Sequence, residues 1–398
     1  MAVLTLLLGI LGITYSIVGL WLLRALRRSP RGERTDLPRV TVVVAARDEE
    51  ANLPYCLASL AVLDYPLDRL EIVLVDHDSR DRTPELLASF CARHPHARVV
   101  HVSDGVHTLC GKAAAVAAGI EHSHGEIILL TDADCAVPRN WVRSLVRYFS
   151  EGVGMVCGFT TVDGRGGHFA QAQALDWLYL LAAAAGAGIR GRPLTWVGNN
   201  LAFRRQAYDE VGGYSGVGFS LTEDFALFKA ICATRRWDVR FVTAPEALVL
   251  TRPRKGWREL FRQRLRWAVG GKSVAPLGKV LLALGGGVRL LLGPALVLAP
   301  LRPTALLLPV TVLLTDMVIL ARMCRSLGLG ELLRAFVRFE ALIASYMVAG
   351  AALLPWVRAL RWKGTTYPVG RGAVSPPPPA PVPRSQRTEE SVESHSWS

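Results

Sequence analysis

The sequence predicts an α/β domain with a mostly parallel sheet, flanked on both sides by membrane helices. Three observations support this prediction. Residues 1–23 contain no charged side chain, residues 38–250 alternate short β-branched runs with helical runs, and apolar runs return between residues 279 and 357. Alternating strands and helices are typical of parallel sheets covered by helices, and about 20 apolar residues in a helix cross a bilayer.

The composition excludes a disordered chain and leaves the binding partner open. Hydrophobic residues make up 51% of the 398 residues and charged residues 20%, so there is enough apolar side chain to bury. The formal net charge of +13 suits a membrane surface as well as nucleic acid. The seven cysteines include no Cys-x-x-Cys pair, which predicts neither a zinc site nor a disulfide framework and favours a reducing, cytosol-facing main body.

The first segment, Met1–Leu23, is predicted to be an uncleaved membrane anchor. It lacks the basic start and the Ala-x-Ala cleavage pattern of a signal peptide. The alternative is a helix buried in a soluble core. Basic residues favour the cytosolic side of a membrane, so the flank after this segment is predicted to be cytosolic and the N-terminus external. The flanking arginines are Arg24, Arg27, Arg28, Arg31, Arg34 and Arg39.

Apolar runs near the other end predict two to three more membrane helices. The runs are Val280–Leu301, Pro303–Ala321 and Ala335–Val357. If the first two form a hairpin that turns at Arg302, Arg289 and Asp316 lie at the same depth. An unpaired charge there costs at least about 2.5 kcal/mol, so the sequence predicts a buried Arg289–Asp316 ion pair.

The number of crossings conflicts with the charge at the end of the chain. Three crossings after an external N-terminus put the C-terminus outside, yet Arg358, Arg361, Lys363 and Arg371 favour the cytosol. One C-terminal segment is therefore expected to lie in the interface or to re-enter. Residues 372–398, rich in Pro and Ser, are predicted to be a disordered tail.

The middle of the chain predicts four buried strands and three helices. The strands are Val40–Ala46, Glu71–Asp76, Arg98–Val102 and Ile127–Asp132, and the helices are Glu49–Leu60, Thr83–His94 and Gly111–Ser123. Ligands of such sheets bind beyond the carboxyl ends of the strands. Acidic residues gather at those ends, with Glu49 after the first strand, Asp76 at the second, and Asp132 and Asp134 at the fourth.

Asp132-Ala133-Asp134 predicts a cation site. In an extended segment both carboxylates point to one side, where Mg²⁺ or Mn²⁺ can bridge them to a diphosphate. For Glu49 and Asp78 the alternative is a helix cap. Asp81, two residues before Thr83, predicts a turn.

Two later segments complete the set of candidate site residues. Residues 221–225 place Glu223 and Asp224 before an apolar helix at 225–233, as a general base or as a helix cap. Residues 251–275 predict a basic interfacial helix containing QRLRW, in which most arginines contact lipid headgroups. Arg266 is the candidate diphosphate clamp. The aromatic residues expected to face the lipid are Trp257, Phe261 and Trp267.

In this order the motifs resemble the family 2 glycosyltransferases of the GT-A fold. The motifs are VTVVVAARDEEANL, VLVDHDSRDRT, GKAAAVAAGI, LLTDADCAVP, WVGNNLAFRR, LTEDFALF and QRLRW, from about Arg39 to Trp267. With WKGTTY at 362–367, the chain looks most like membrane-bound members that glycosylate lipids, such as ceramide glucosyltransferase-like, hopanoid-linked and carotenoid glycosyltransferases. The resemblance implies a Rossmann-like mixed sheet with helices on both faces, one N-terminal membrane helix and two to three C-terminal ones.

The resemblance also implies a role for each matching residue. The uridine would be held by Ala45, Arg47, Glu49 and Asp76, with Lys112 helping at the nucleotide. Asp132 would lie near the ribose and the metal, and Asp134 would ligate the metal. Asp224 would be the base. The diphosphate and the acceptor mouth would be closed over by Gln263, Arg266 and Trp267.

Two segments depart from the family pattern. His77 stands where many relatives have a second Asp, and Asp78 follows where Gly is frequent. Either Asp78 substitutes for the missing acid or the contacts to uracil are rearranged. The terminal WKGTTY lacks the Arg that relatives tend to show after the Gly, which weakens inference from this segment.

The expected function is inverting, metal-dependent transfer from a UDP-sugar to a hydroxyl of a membrane lipid. An integral, multi-pass protein with a cytoplasmic catalytic domain would perform it, with Mg²⁺ or Mn²⁺. The alternative is a processive polysaccharide synthase, which shares the QxxRW motif, although three C-terminal segments are poor material for a polymer channel. An idle scaffold is disfavoured by intact Asp132, Asp134, Asp224 and Arg266. No basic-aromatic strand pattern or helix-turn-helix supports nucleic acid.

Overall fold

The structure, a computed structural model, describes residues 2–27, 32–103, 109, 111–271, 274–362 and 365–369. The predicted tail at 372–398 lies outside these residues, as do Arg28, Arg31, Lys363 and Arg371. The described strands are β1 (Val40–Ala46), β2 (Leu70–His77), β3 (Ala97–Val102), β4 (Ile127–Asp132), β5 (Cys135–Ala136), β6 (Val153–Gly158), β7 (Thr160–Val162), β8 (Leu201–Arg204), β9 (Asp238–Val242), β10 (Val249–Thr251), β11 (Ala359–Trp362) and β12 (Thr365–Pro368).

The helices alternate with these strands and then take over towards the end of the chain. They are α1 (Ala2–Leu26), α2 (Leu53–Leu60), α3 (Thr83–Arg93), α4 (Lys112–Glu121), α5 (Trp141–Val146), α6 (His168–Ile189), α7 (Arg205–Glu210), α8 (Gly213–Val217), α9 (Glu223–Ala233), α10 (Trp257–Gly270), α11 (Pro276–Leu298), α12 (Leu307–Ser326) and α13 (Phe336–Leu353).

The central sheet is mixed, in the strand order β3-β2-β1-β4-β8-β6-β9. β3, β2, β1 and β4 are parallel, whereas β8 runs antiparallel to both β4 and β6. The four predicted strands agree with the observed ones to within one residue at each end. The predicted helix Glu49–Leu60 begins later, at Leu53, because Pro54 starts the first turn and residues 49–52 form a turn instead.

Helices cover both faces of the sheet because its inner strands are apolar on both sides. Val42 and Val44 of β1 pack among buried residues of α2, α3 and α5. Val43, on the opposite face, packs with residues of α4, α6 and α9. Strands that are buried on both faces read as continuous apolar runs, which is why these segments were recognisable in the sequence.

The strand register brings the predicted site residues to one edge. Ala45 of β1 pairs with Asp132 of β4, and the next residue, Ala46, pairs with Asp76 of β2. A second sheet, in the order β5-β10-β7, pairs Cys135 with Thr251 and so carries the segment after Asp132 towards β10. The carboxyl ends of the parallel strands therefore form the floor of one cleft.

Within the described residues, five helices are long and apolar enough to cross a membrane by length and composition. α1, α11 and spans that contain α12 and α13 agree with the predicted segments. The fifth, α6, was not predicted. Its most apolar stretch is 72% buried, against 28% in α1 and 22% in α11. α6 contacts β7 of the second sheet as well as α1, α12 and α13, so it joins that sheet to the apolar helices.

The predicted ion pair between Arg289 and Asp316 is confirmed. Arg289 Nη2 lies 2.5 Å from Asp316 Oδ2, and both side chains are fully buried. The Tyr15 hydroxyl donates a hydrogen bond to the same carboxylate and contacts the Tyr179 hydroxyl. A carboxylate oxygen of Glu340 lies 4.0 Å from the guanidinium. Side chains from α1, α6, α11, α12 and α13 thus meet at one polar cluster, the Arg289 cluster.

We expect Arg289→Leu to lower the free energy of unfolding by about 3–5 kcal/mol, because it leaves the Asp316 carboxylate buried without its cation. Arg302→Leu, in the exposed turn between α11 and α12, is the matched control and should have a small effect. The double variant Arg289→Leu/Asp316→Leu should recover part of the loss. Unfolding of the purified protein in detergent measures all three, and a double variant no more stable than Arg289→Leu would contradict the pairing.

Candidate active site

The floor of the cleft contains a buried carboxyl group with a partner for only one of its two oxygens among the described residues. Asp76, at the end of β2, is 6% exposed. Its Oδ2 lies 3.2 Å from Nδ1 of His101, while its buried Oδ1 has no hydrogen-bond partner among the residues that the structure describes. A buried acceptor without a donor is costly, so this oxygen is available to a ligand N–H. Ala46 of β1 pairs with Asp76, and Ala45 precedes it.

The loops that follow β1 and β2 lock each other in place. Asp48 and Asp78 both adopt positive φ, of 51° and 52°, a region that Asp tolerates better than most residues. Asp48 Oδ1 accepts the backbone N–H of Arg80 at 2.8 Å. The predicted turn at Asp81 is confirmed, because its Oδ1 accepts the backbone N–H of Thr83 at 2.9 Å. Asp78 is thus placed by its turn conformation.

Three other residues of this region take distinct positions. Arg47 follows β1 directly and is partly exposed. Glu49 donates its backbone N–H to the Thr83 hydroxyl at 2.9 Å, and its Oε2 accepts from the Asn52 amide at 2.8 Å. His77, which replaces the acid expected from the family pattern, is 4% exposed.

The predicted cation site has a suitable set of donor atoms. Ligand atoms of Asp132, Asp134 and Cys135 all lie within 4.8 Å of one another. Asp134 Oδ2 also lies 3.2 Å from Nη2 of Arg254, and its Oδ1 accepts from the Thr251 hydroxyl at 3.4 Å. Burial, then the neighbouring Asp132 carboxylate, raises the pKa of Asp134. Two crowded carboxylates favour a cation between them.

Lys112 joins the sheet edge to the second acidic motif. Its Nζ lies 2.5 Å from Asp132 Oδ1 and 3.2 Å from Glu223 Oε1. Burial opposes the charged form of Lys112, but the carboxylates of Asp132, Glu223 and Asp224 outweigh it and raise the pKa of Lys112 well above its usual value. Lys112 therefore stays charged and holds β4 and α9 together.

Asp224 lies in the first turn of α9, and its carboxylate accepts hydrogen bonds from two backbone N–H groups. Gly198 N donates to its Oδ2 at 2.5 Å, and its own neighbour Phe225 donates to its Oδ1 at 2.8 Å. Burial and the adjacent Glu223 raise the pKa of Asp224 to about 6, although Lys112 acts in the opposite direction. Asp224 is partly exposed, whereas Glu223 is buried on Lys112, so Asp224 is the acid of this pair that faces the cleft.

Arg266 approaches the same acids from α10. Its Nη1 donates to the backbone carbonyl of Leu221, just before α9, at 3.4 Å. Burial lowers the pKa of Arg266, and the carboxylates of Glu223 and Asp224 act against that effect. A guanidinium with a normal pKa above 12 remains charged at neutral pH after such a shift. Arg266 therefore places a cation at the mouth of the cleft.

Two expectations for α10 are wrong. Trp267 does not face a lipid boundary, because its ring packs edge-on against Trp177 of α6 with centroids 5.0 Å apart. Arg264 is not a headgroup contact, because its guanidinium is buried against Asp176 of α6. Gln263 accepts a hydrogen bond from Arg264 at 2.9 Å. The expectation holds better at the start of the helix, where Trp257 is 39% exposed.

Sequence reasoning did not identify several residues that shape the cleft. Asn200 accepts from the Trp141 indole at 2.9 Å and donates to the carbonyls of Phe159 and Ala247, which fixes the loop that carries Gly198. The Tyr214 hydroxyl is buried near Glu223 and Asp224 and has no hydrogen-bond partner in the described part of the chain. The WVGNN motif was the available signal for Asn200, whereas Tyr214 carried none.

The described residues of the terminal WKGTTY segment, 362 and 365–367, lie in two strands beside the site. β11 and β12 pair antiparallel, and Tyr367 of β12 stacks on Phe219 with ring centroids 5.9 Å apart. Leu221 and Val269, which flank the Asp224 and Arg266 motifs, belong to the same apolar cluster. Strands β11 and β12 thus support the segment that leads into α9.

The mixed sheet, with acidic motifs at its carboxyl edge, has the GT-A fold of glycosyltransferases. The structure of the mannosyltransferase PcManGT from Pyrobaculum calidifontis, in complex with GDP-Man and Mn²⁺, superposes with a TM-score of 0.54 over 88% of this chain and 99% of that one, at 23% identity. A family model described as glycosyl transferase family 21 matches residues 4–374. The chain belongs to this family, which confirms the resemblance drawn from its motifs.

Similar proteins of known name are also glycosyltransferases. The chain is 27% identical over 248 residues to the probable glycosyltransferase YdaM of Bacillus subtilis, which covers 61% of this chain and 58% of that protein. It is 31% identical over 243 residues to the beta-monoglucosyldiacylglycerol synthase of Synechocystis, covering 59% and 48%. The chain spans about half the length of the curated relatives it matches.

We expect Gly198→Ala to lower the transfer rate about 100-fold, because a Cβ at position 198 would lie 2.7 Å from Cβ of Asp224 and a displacement of about 1 Å at a reacting group can cost that much. Gly293→Ala is the matched control, since a Cβ there meets open space. Initial rates with excess donor measure the effect. A Gly198→Ala enzyme as active as Gly293→Ala would show that this close approach does not position Asp224.

Proposed function

We propose that this protein transfers one sugar from a UDP-sugar to a hydroxyl of a membrane lipid, with inversion, at the cytoplasmic face of the membrane. The observation that carries the proposal is the contact of Lys112 with both Asp132 and Glu223. This contact, together with the approach of Arg266 to the same acids from α10, supports one site shared by the nucleotide edge, Asp224 and Arg266. The names of relatives such as the Synechocystis enzyme, which specify a glycosylated diacylglycerol, support a lipid acceptor.

The nucleotide fits at the carboxyl edge of β1 and β2. Asp76 Oδ1, which has no hydrogen-bond partner among the described residues, suits the N–H of a pyrimidine base, and Ala45, Arg47 and Glu49 lie at or just after the end of β1. Guanine also carries a ring N–H, so this contact selects for a base with a donor at that position. Parallel assays with UDP-sugars and GDP-sugars separate the two bases.

Asp132 and Asp134 would hold a divalent cation. Their oxygens are the hard ligands that Mg²⁺ and Mn²⁺ prefer, and their closeness to each other fits one ion. Such an ion, when bound, neutralises charge on the diphosphate of the donor. Arg254, 3.2 Å from Asp134, orients that carboxylate.

Asp224 is the proposed general base. Both of its oxygens accept backbone N–H groups, which aim the carboxylate, and a pKa of about 6 leaves it ionised at neutral pH. It takes the proton of the lipid hydroxyl as that oxygen forms its bond to the anomeric carbon. The bond to the diphosphate oxygen breaks on the opposite face, so the configuration inverts. Arg266, with Gln263 and Trp267 beside it, stabilises the departing UDP.

A single transfer suits the apolar helices better than polymer synthesis does. A processive synthase needs a channel for its polymer. The Arg289 cluster joins side chains from five helices through a fully buried ion pair, and the cavity that Tyr15 and Tyr179 line beside it measures about 70 Å³. We therefore favour a lipid product over the alternative of a polysaccharide.

Product analysis tests the proposal. Full-length protein in nanodiscs would be given labelled UDP-sugars or GDP-sugars, Mn²⁺ or Mg²⁺, and a bacterial lipid extract. We expect one chloroform-soluble product from a UDP-sugar, lost on addition of EDTA and in Asp224→Asn. Asp238→Asn, on the exposed edge strand β9, is the control and should retain activity. A water-soluble product of high mass would instead establish the synthase.

The pH dependence of transfer should report the ionisation of Asp224. A base must be deprotonated, so kcat should rise with pH through a midpoint at about 6, the pKa of Asp224, and level off at higher pH. Because the Lys112 cation lowers the pKa of Asp224, Lys112→Met should reduce the rate and also move this rise to higher pH. Rate profiles from about pH 4.5 to about pH 9, which extend well beyond the pKa on both sides, measure both. A rise that stays in place in Lys112→Met would exclude Asp224 as its source.

A further inference from the structure

Arg264 stands inside the QRLRW motif but turns away from the cleft. Its side chain is 5% exposed, and that of Asp176 on α6 is fully buried. Nε and Nη2 of Arg264 both donate to Oδ2 of Asp176, at 3.0 and 2.5 Å. Burying two charges is expensive unless the geometry is good and the remaining hydrogen bonds are made. The remaining contacts of this pair therefore indicate what it does.

The remaining parts of the Arg264 guanidinium contact two residues of the same motif, Gln263 and Trp267. Nη1 donates to Gln263 Oε1 at 2.9 Å, and the guanidinium carbon lies 4.3 Å from the centre of the Trp267 ring. Trp267 is held from its other side by Trp177, the residue after Asp176 on α6. A planar fork that bonds and stacks at once is specific to Arg, because the ammonium of Lys is a point charge.

The second oxygen of Asp176 is held by a third helix. The Tyr346 hydroxyl, on α13, donates to Oδ1 of Asp176 at 2.8 Å, and its ring lies 5.7 Å from the Arg264 guanidinium. Both oxygens of one buried carboxylate are thus used. Through them α10, which carries Arg266, is tied to α6 of the catalytic domain and to α13, one of the apolar helices.

We propose that Arg264 is a positioning residue for transfer. Together with Asp176 and Tyr346, it sets the side chains of Gln263 and Trp267, and with them the helix turn that carries Arg266, at the mouth of the cleft. Its role in the reaction rests on the proposed function, whereas its effect on the order of α10 does not. A purely stabilising ion pair would make a different prediction, because a well-packed apolar replacement would then be as good.

The discriminating variant is Arg264→Met/Asp176→Leu/Tyr346→Phe. Replacing every polar member together leaves no buried charge or hydroxyl unpaired, so the melting temperature should return close to that of the wild type while Arg264→Met alone lowers it. We expect kcat of the triple variant to stay at least about 100-fold below that of the wild type, because the Arg264 guanidinium no longer contacts Gln263 and Trp267. The single variant Arg264→Lys keeps the charge but should also have a low kcat. Transfer that recovers along with stability would overturn the proposal.

Amide exchange of residues 257–270 gives a readout that needs no substrate. In the triple variant these residues should exchange faster while the strands keep wild-type protection; unchanged exchange would overturn the proposal. The control is Arg143→Gln/Asp64→Asn, which breaks an ion pair of 3.2 Å next to α5 on the other face of the sheet and should leave exchange and transfer as in the wild type.

The two proposals can fail separately. If the wild type transfers no sugar from any donor, the proposed function fails and the amide exchange alone decides whether Arg264 orders α10. If the triple variant does not fold, Tyr346→Phe decides, since it keeps the ion pair and the ring and removes only one hydroxyl. We expect it to lower kcat more than UDP affinity and to speed exchange in α10, and a variant unchanged in both would overturn the proposal.

Discussion

The site is built around a charge balance in a cleft that excludes much of the solvent. Carboxylates come from Asp132, Asp134, Glu223 and Asp224, with Glu49 acting on Asp134 as well, and cations come from Lys112, Arg254 and Arg266. In such an environment each charge acts strongly on the others. The carboxylates outnumber these cations, so a diphosphate needs a further cation to bind here. In the proposed function the nucleotide therefore enters together with its metal ion.

Lys112 is the centre of this balance because it touches both acidic motifs. It comes from α4, whose buried face packs on the same side of the sheet as α6 and α9. The strand register then fixes the distance between the two motifs, since β4 carries Asp132 and pairs with β1. The chemistry of the site thus follows from how one helix lies on the sheet.

Helix α6 extends this organisation from the sheet to the apolar helices. Its Asp176 binds Arg264 next to the motif of Arg266, and one turn later its Tyr179 reaches the Arg289 cluster. The two polar clusters lie on one rigid rod, because residues three apart in a helix are separated by about 4.5 Å along its axis. For an enzyme that takes its acceptor from a membrane, this arrangement keeps the cleft at a constant distance from the apolar region.

Local sequence patterns and the free-energy cost of burying an unpaired charge predicted much of this architecture. β-branched runs predicted β1 to β4, and the rule that parallel strands converge at their carboxyl ends brought Asp76 and Asp132 together. The Arg289–Asp316 pair was predictable because a charge in an apolar run requires a partner and the hairpin supplied one. Arg264 and Asp176 are 88 residues apart, and an arginine on a basic helix looks the same in sequence whether it meets a lipid headgroup or a buried acid. The contact of Gly198 with Asp224 depends on a loop and a helix that no local pattern brings together.

The central claim is that a metal-bound nucleotide site lies at the surface of the membrane. Electron paramagnetic resonance of Mn²⁺ tests it directly, with the full-length protein in nanodiscs that contain a phospholipid spin-labelled at its headgroup. We expect Mn²⁺ to bind tightly only when UDP is present, to show coupling to phosphorus, and to relax the headgroup label more than a label at the end of an acyl chain. Binding that does not depend on UDP, or a bound Mn²⁺ that leaves the headgroup label unaffected, would contradict the account.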